Sequence, residues 1–181
     1  GRPISYLIYR IHGNVFLADE LYSITAKGLI CLLGFMGSHA GAIKEFRMIL
    51  PEHSLIGELF PEQNQLHISL HPYMMSRIID FAIMVTYMKP LQEGTFNVEV
   101  ISDDQCPWNI GVWQITNQAG QVSCKQIEDG LVDYSGPITA WTQVFLGRLS
   151  MRDAVKLGLI TDYRIKKLDF KKGDVSFYDY F

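Results

Sequence analysis

The stretch DDQCPWNIGVWQI (residues 103–115) marks a corner between two predicted strands. FNVEVIS (residues 96–102) alternates apolar and polar side chains up to this corner, and GVWQITN (residues 111–117) continues the alternation as the corner ends. Alternation with a period of two is typical of a β-strand that buries one face. The sequence therefore predicts two strands of one sheet on either side of the corner.

The corner itself contains Cys106, Pro107, Trp108 and Asn109. A cysteine beside a proline and a tryptophan can be a reactive thiol, but no Lys or Arg adjoins Cys106 in sequence to lower its pKa. The simpler interpretation is a tight turn in which Trp108 fills the core and Asn109 satisfies turn backbone. We therefore expect a structural corner and not a catalytic cysteine.

Four further patterns complete this half of the chain. QVSCKQI (residues 121–127) follows a turn at residues 118–120, which predicts a β-hairpin, and LVDYSG (residues 131–136) predicts another strand. Apolar side chains at helical spacing predict a helix over residues 138–145, and SMRD from Ser150 resembles a capping box that starts a second helix. The C-terminal half thus reads as an antiparallel sheet with helices packed on one face.

The N-terminal half begins with a predicted β-hairpin. Two apolar runs, residues 4–11 and 15–24, flank Gly13-Asn14, which is a typical hairpin turn. Thr25 can cap a helix in which leucines recur at helical spacing, and KEFRMIL (residues 44–50) predicts a third strand. These patterns predict a small sheet with one helix.

Between the halves, LHISLH (residues 66–71) and MMSRIID (residues 74–80) are predicted to be strands, and FAIMVTYM (residues 81–88) a short helix. The pattern restarts near residue 72. We therefore predict an α+β protein of two domains, residues 1–72 and 73–181.

Composition excludes several functions. The net charge is -3 and no basic stripe exists, so we expect no nucleic-acid partner. No apolar run approaches the roughly 20 residues that span a bilayer, so no membrane partner is expected. Three widely spaced cysteines without a CxxC motif suit a reducing cytoplasm. Gly1 is not an initiator methionine, and we expect the chain to be the C-terminal part of a longer protein.

Motifs that bind cofactors or metals are missing from the sequence. No P-loop and no G-x-G-x-x-G are present, so no cofactor-binding residue is predicted. His67 and His71 are four residues apart, but on a strand that spacing separates them by about 13 Å. We therefore predict no metal site.

The ordered set of motifs resembles the C-terminal part of the Eis-type acetyltransferases, the enhanced intracellular survival family within the GNAT superfamily. The corner at residues 103–115 resembles one in the sterol-carrier-protein-like (SCP2-like) domain of that family, and residues 138–160 resemble its helix pair. Residues 20–46 resemble the second half of the family's central GNAT-like domain, and the ending Asp179-Tyr180-Phe181 resembles its aromatic ending. The resemblance covers essentially the whole chain.

The resemblance implies a partial GNAT-like sheet with one helix in residues 1–72 and an SCP2-like domain in residues 73–181. It also implies that acetyl-CoA is the co-substrate of the intact enzyme, bound by an N-terminal domain whose R/Q-x-x-G-x-G/A loop does not occur in this chain. The acceptor would be a small amine or a lysine-bearing molecule. Family members are homo-oligomers, and we expect the same here. The chain alone is expected to be inactive.

The resemblance implies that the catalytic group of this chain lies in its last seven residues, VSFYDYF. In the family the terminal carboxylate is the general base, which implies that role for the carboxylate of Phe181, with Tyr178, Asp179 and Tyr180 at the substrate pocket. An ammonium substrate must lose a proton before its nitrogen attacks a thioester. A free α-carboxyl is too acidic to be a good base, and burial among rings would raise its pKa.

Two other interpretations remain open. An aromatic terminus can simply be a last strand or a plug on the core. The SCP2-like domain can instead be a module for oligomerisation or for lipid binding without catalysis, with an apolar tunnel lined by Met74, Met75, Phe81, Met84, Trp108, Trp113 and Trp141.

Overall fold

A computed structural model describes residues 2–51, 54–71 and 75–170. The described residues form two compact units, which divide between Leu70 and His71. No helix in these described ranges is long and apolar enough to cross a membrane.

The predicted bounds of the two domains, residues 1–72 and 73–181, stay a prediction. Their boundary touches residues 72–74 and the second domain ends in residues 171–181, and both segments lie outside the described part of the chain.

The first unit is a three-stranded sheet with one helix. Its elements are β1 (Ser5–His12), β2 (Val15–Ser23), α1 (Ala26–Gly37) and β3 (Glu45–Met48). The sheet order is β1-β2-β3, with β1 antiparallel and β3 parallel to β2. The predicted hairpin is confirmed, with Gly13 at a positive φ in its turn. The predicted cap is confirmed too, because the Thr25 hydroxyl accepts the backbone N–H of Gly28 at 3.0 Å.

One face of this sheet forms the core of the first unit. The helix α1 packs on it, and the buried residues are Phe16, Ala18, Leu21, Met36 and Ile43. Strand β1 stands at one edge of the sheet order and keeps large apolar side chains partly exposed, among them Tyr6 (47%) and Ile8 (50%). The first unit therefore buries one face well and leaves an apolar edge strand.

The second unit is a five-stranded sheet with three helices. Its elements are α2 (Phe81–Met88), β4 (Gly94–Val100), β5 (Gly111–Gln118), β6 (Gln121–Ile127), β7 (Tyr134–Gly136), α3 (Ile138–Phe145), α4 (Met151–Lys156) and β8 (Thr161–Asp162). The sheet order is β6-β5-β4-β7-β8. The prediction of an α+β fold with a small sheet and one helix, followed by a larger sheet with helices, is confirmed.

One pairing differs from the antiparallel meander that the sequence predicts. Strands β4, β5 and β6 are antiparallel neighbours, but β7 pairs with β4 in parallel. The chain reaches that edge through residues 128–133, so β7 does not continue the hairpin series. Turn signals between strands predict neighbours but do not reveal which edge a returning strand joins.

The core of the second unit lies between the sheet and the helices. Side chains from α2, α3 and α4 share one buried cluster with alternate residues of β4 and β5. Its aromatic members are Phe81, Phe96, Trp113, Tyr134, Trp141, Phe145 and Phe170. The alternation that predicts the strands at residues 96–102 and 111–117 thus reflects burial against helices.

Two predicted strands are wrong. Residues 66–71 and the described part of 74–80 form no strand. Ile68 and Leu70 are largely exposed, so the alternation in LHISLH has no sheet to face. Near Asp80 the backbone binds side chains instead of a neighbouring strand, as described below.

Candidate functional site

The corner at residues 103–109 is built on a buried carboxylate. The Asp103 side chain is fully buried and forms an ion pair with Arg77. Its Oδ1 atom accepts the backbone N–H of Cys106 at 3.0 Å and that of Gln105 at 3.3 Å. Bonds from three sources neutralise a charge that would be costly to bury alone.

Asn109 connects this carboxylate to the start of α2. Its Nδ2 donates to Asp103 Oδ2 at 2.9 Å and to the carbonyl of Ile79 at 3.2 Å, and its Oδ1 accepts the N–H of Phe81 at 2.9 Å. Asp80 caps the same helix by accepting the N–H of Ile83. Asn109 therefore satisfies backbone, as predicted, but it is the backbone of residues 79–81 and not of its own turn.

The prediction that Trp108 fills the core is wrong. Its ring is 58% exposed, and its indole N–H donates to the carbonyl of Ile79 at 2.9 Å. Trp113, on the next strand, occupies the core instead and donates to the carbonyl of Asn109. Cys106 is buried, which suits the structural interpretation of the corner. We conclude that the corner fixes the polypeptide before α2.

A second buried carboxylate holds the C-terminal segment. Asp133 is fully buried, and its Oδ2 lies 2.9 Å from the Nζ of Lys166 and 2.8 Å from the backbone nitrogen of Asn97. The neighbouring hydroxyl of Tyr134 donates to the carbonyl of Lys166. Burial, with a smaller effect of Asp162, raises the pKa of Tyr134 and keeps this hydroxyl a donor. Lys166 is therefore held through both its side chain and its backbone.

The sequence alone does not predict the ion pair between Asp133 and Lys166. Lys166 belongs to a run of basic residues that is typical of a solvated face, and its side chain is indeed 41% exposed. The only indication is Asp133, a charged residue between Val132 and Tyr134 in the run LVDYSG, which predicts a strand.

The residues after Lys166 finish the core of the second unit. Leu168 and Phe170 are almost completely buried, and the ring of Phe170 meets that of Phe145 edge-on at 4.7 Å. Asp169 is held by its backbone: its carbonyl accepts the N–H of Leu91 at 2.8 Å, and its own N–H donates to the side chain of Gln92 at 2.7 Å. The chain is thus anchored up to Phe170.

The predicted catalytic group, the carboxylate of Phe181, lies outside the described residues. The same is true of the predicted pocket residues Tyr178, Asp179 and Tyr180. What the structure describes is the anchor from which that segment continues, eleven residues before Phe181.

The proposed tunnel residues do not share one surface. Phe81 packs against Trp113, Trp141 and Phe145 with ring centroids 5.5–5.9 Å apart, which is ordinary core packing. Met75 and Trp108 are exposed instead, at 99% and 58%. Met74 lies outside the described residues. Among the described members, Phe81, Trp113 and Trp141 therefore belong to the packed core of the second unit.

An open depression of about 430 Å³ lies at one end of β5 and β6. It is lined by Gly111, Val112, Gln126, Ile127 and Glu128. None of these five residues is basic, so the described lining supplies no cation for the phosphates of coenzyme A.

Comparison with solved structures finds similar folds. A conserved Enterococcus faecalis protein of unknown function, described as a probable N-acyltransferase, is 29% identical with a TM-score of 0.78, and the match covers 90% of this chain and 42% of that one. A GCN5-related N-acetyltransferase from Anabaena variabilis is 14% identical with a TM-score of 0.72, again over 90% and 42%. The Eis1 protein from Mycobacterium abscessus is 15% identical with a TM-score of 0.70, over 89% and 42%.

These matches show how much of each solved structure this chain resembles. The chain spans about two fifths of the length of each of these structures, and at 14–15% identity the last two share the fold alone. A search of curated proteins finds no match.

A family model, described as sterol carrier protein domain, matches residues 80–171, which are 92 of the 181 residues. The matched range begins at the residue that caps α2 and includes the anchored segment up to Phe170. The chain therefore belongs to the sterol carrier protein domain family.

Proposed function

We propose that this chain is the C-terminal part of an acetyl-CoA-dependent N-acetyltransferase that acts on amines. The observation that carries the proposal is the 29% identity, over 90% of the chain, to a protein described as a probable N-acyltransferase. Acetyl-CoA would bind to a domain outside this chain, and residues 1–181 alone would be inactive. The acceptor would be a small amine or a lysine-bearing molecule, and the enzyme a cytoplasmic homo-oligomer.

In this proposal the chain supplies the general base. The carboxylate of Phe181 takes a proton from the ammonium group of the acceptor, and the free amine then attacks the thioester carbonyl of acetyl-CoA. The nitrogen gains the acetyl group and loses its second proton, the C–S bond breaks, and the departing thiolate takes up that second proton and leaves as the thiol of coenzyme A. A base aligned in this way contributes roughly 10²–10⁴-fold to the rate.

The anchored segment supports this role physically. Phe170 is fixed by burial and by its antiparallel bridge to Pro90, and eleven residues follow it. A fully extended chain of that length reaches at most about 40 Å. The eleven residues are thus long enough for the terminal carboxylate to act at a site up to about 40 Å from this anchor.

The rings around the terminus would tune this base. Tyr178, Tyr180 and Phe181 would exclude water from the carboxylate and raise its pKa, and Asp179 would act in the same direction by repulsion between like charges. A base with a raised pKa accepts the ammonium proton more readily near neutral pH.

A change at the terminus of the intact protein tests the proposal. Adding one glycine after Phe181 moves the carboxylate by about 3.5 Å, and deleting Phe181 moves it the other way. Phe181→Tyr is the matched control, because it keeps both the ring and the position of the carboxylate. We expect kcat to fall at least about 100-fold in the first two variants and to change little in the control. Unchanged kcat after the added glycine would exclude the carboxylate as the base.

A further inference from the structure

The turn that follows β8 presents a strained apolar residue. Ile165 has a φ of 55° and is 94% exposed. A β-branched residue at a positive φ is an outlier, because its side chain is crowded against its own backbone. Such strain persists only where the surrounding structure enforces it, and it is concentrated at sites of binding or switching. Because Ile165 is so exposed, packing within the described residues does not offset the strain.

The same turn is held at both ends by Asp133. The carbonyl of Asp133 accepts the N–H of Tyr163 at 2.9 Å, and its carboxylate pairs with Lys166. Within the turn, Oδ1 of Asp162 accepts the N–H groups of residues 164 and 165, at 3.1 and 2.9 Å. These bonds fix the strained conformation in the free protein, which lowers the entropy cost of binding a partner there.

We call residues 163–167 the β8 tip. Besides Ile165 it contains two exposed cations, Arg164 and Lys167. Neither cation forms an ion pair with another residue in the described part of the chain. The β8 tip therefore presents one rigid apolar side chain accompanied by positive charge, a combination that fits an apolar pocket with acidic residues beside it.

The open depression at the end of β5 and β6 has the complementary chemistry. Val112 and Ile127 line it and are half-buried, so they supply apolar surface. Glu128 also lines it, and the exposed Asp129 follows in the chain. An apolar lining beside two carboxylates suits an isoleucine that is flanked by cations.

The β8 tip and the depression lie at opposite edges of one sheet. In the order β6-β5-β4-β7-β8 the outer strands β6 and β8 are four strand spacings apart, which is about 19 Å. The β8 tip therefore cannot enter the depression of its own chain. It can enter that of another copy, and a contact of this kind, repeated from copy to copy, builds a ring when the rotation closes.

We propose that the β8 tip of one copy inserts Ile165 into the β5–β6 depression of a second copy, with Arg164 beside Glu128. This inference rests on the homo-oligomer of the proposed function and names its interface. The contact accounts for the strain at Ile165, because the exposed isoleucine becomes buried only in the assembly.

Two substitutions of Ile165 in the intact protein separate strain from contact. Neither Ile165→Asn nor Ile165→Leu is β-branched, so both variants should melt at the wild-type temperature or above it. Ile165→Leu keeps an apolar side chain and is the matched control. Sedimentation velocity over a dilution series should show a dissociation constant of the oligomer that rises about 10-fold or more with Asn and stays within about threefold with Leu. Equal dissociation constants for Ile165→Asn and the wild type would overturn the proposal.

A charge swap tests whether Arg164 and Glu128 face each other. Arg164→Glu and Glu128→Arg each place like charges together, and each should raise the dissociation constant about 10-fold or more. The two substitutions combined in every copy should restore it to within about threefold. Arg152→Glu, which reverses an exposed charge on α4, is the control and should change it by about twofold or less. Failure of the combined variant to restore association would overturn the facing pair.

Acetyl transfer to 1,4-diaminobutane, measured on the same samples, distinguishes this inference from the proposed function. If the wild type is an oligomer and all variants associate normally, the inference fails alone. A monomeric wild type refutes both the contact and the homo-oligomer, and acetyl transfer by that monomer would still support the enzyme. Loss of association in the variants of a wild type that transfers no acetyl group supports the contact and contradicts the enzyme.

Discussion

The side-chain oxygen of Asn109 accepts the backbone N–H of Phe81 at 2.9 Å, across 28 positions of sequence. The same side chain donates to Asp103 and to the carbonyl of Ile79, so one buried amide ties the corner after β4 to the first residue of α2. The corner and the helix are therefore one structural feature, although they lie in separate segments of the sequence.

Replacement of Asn109 tests this connection. Asn109→Ala leaves the N–H of Phe81 and one oxygen of Asp103 without their partner, and we expect a loss of about 2–4 kcal/mol in the free energy of unfolding. Trp108→Phe is the control, because it removes a hydrogen bond from an exposed ring and should cost about 1 kcal/mol or less. Urea denaturation measures both. Equal losses in the two variants would contradict the central role of Asn109.

Packing of the aromatic core predicts a contrast along α2. Phe81 is fully buried among three rings, so Phe81→Ala should cost about 3–5 kcal/mol. Ile83, two residues later, is 56% exposed, and Ile83→Ala should change the stability by about 0.5 kcal/mol or less. Thermal or urea unfolding of the two variants checks the prediction.

The same packing predicts that the purified chain retains no lipid. Native mass spectrometry measures this directly. A fatty acid that stays bound through purification would show that the second unit opens a cavity, and it would favour the lipid-binding alternative over a filled core.

Cys124 predicts how stability depends on pH. Burial, with a smaller effect of Asp80, raises the pKa of this thiol from 9.0 to about 12. A thiol whose pKa is higher in the folded state contributes stability that is fully present below pH 9 and is lost as the pH rises towards 12, at up to ~1.4 kcal/mol per pH unit. Cys124→Ala should flatten the decline of unfolding free energy above pH 9.

The control for that measurement is Cys31→Ala. Cys31 is exposed, so this variant should keep the steep decline above pH 9. An identical decline in the wild type and in Cys124→Ala would contradict a raised thiol pKa at this half-buried position.

Strand β1 predicts self-association of the isolated chain. It is an eight-residue edge strand with large apolar side chains partly exposed and with no proline or lysine to block pairing. Light scattering should show association that increases with concentration, and Ile8→Lys should reduce it. Ile30→Lys is the control, because Ile30 is also exposed, at 65%, but lies on α1. A monodisperse monomer at all concentrations would contradict the prediction.

Local patterns predicted much of the fold. The β-hairpin around Gly13, the helix capped by Thr25 and the helix that begins after Ser150 all follow from short-range chemistry, and each is confirmed. In these elements the deciding contacts lie within a few residues, such as the bond from the Asp153 N–H to the Ser150 hydroxyl.

Long-range contacts account for the errors. Trp108 and Trp113 are five residues apart and equally apolar, but Trp108 lies in the turn at residues 107–109 and is exposed, whereas Trp113 lies on β5 and packs in the core of the second unit. Residues 75–80 have strand-forming side chains but form no strand, and the side chains of Trp108 and Asn109 bind the backbone at Ile79. The Asp133–Lys166 pair joins residues 33 positions apart, and no local pattern indicates it. The predicted base at Phe181 stays a prediction.

Leu168 and Phe170 complete the core of the second unit from the far end of its sequence. A polypeptide cut short before residue 168 would lack two of its buried apolar groups, and the ring of Phe145 would lose its edge-on neighbour. Such a product would expose apolar surface and be open to proteases. Truncated chains would therefore be degraded in the cell. The chains that persist would be those that contain the segment leading to the terminus.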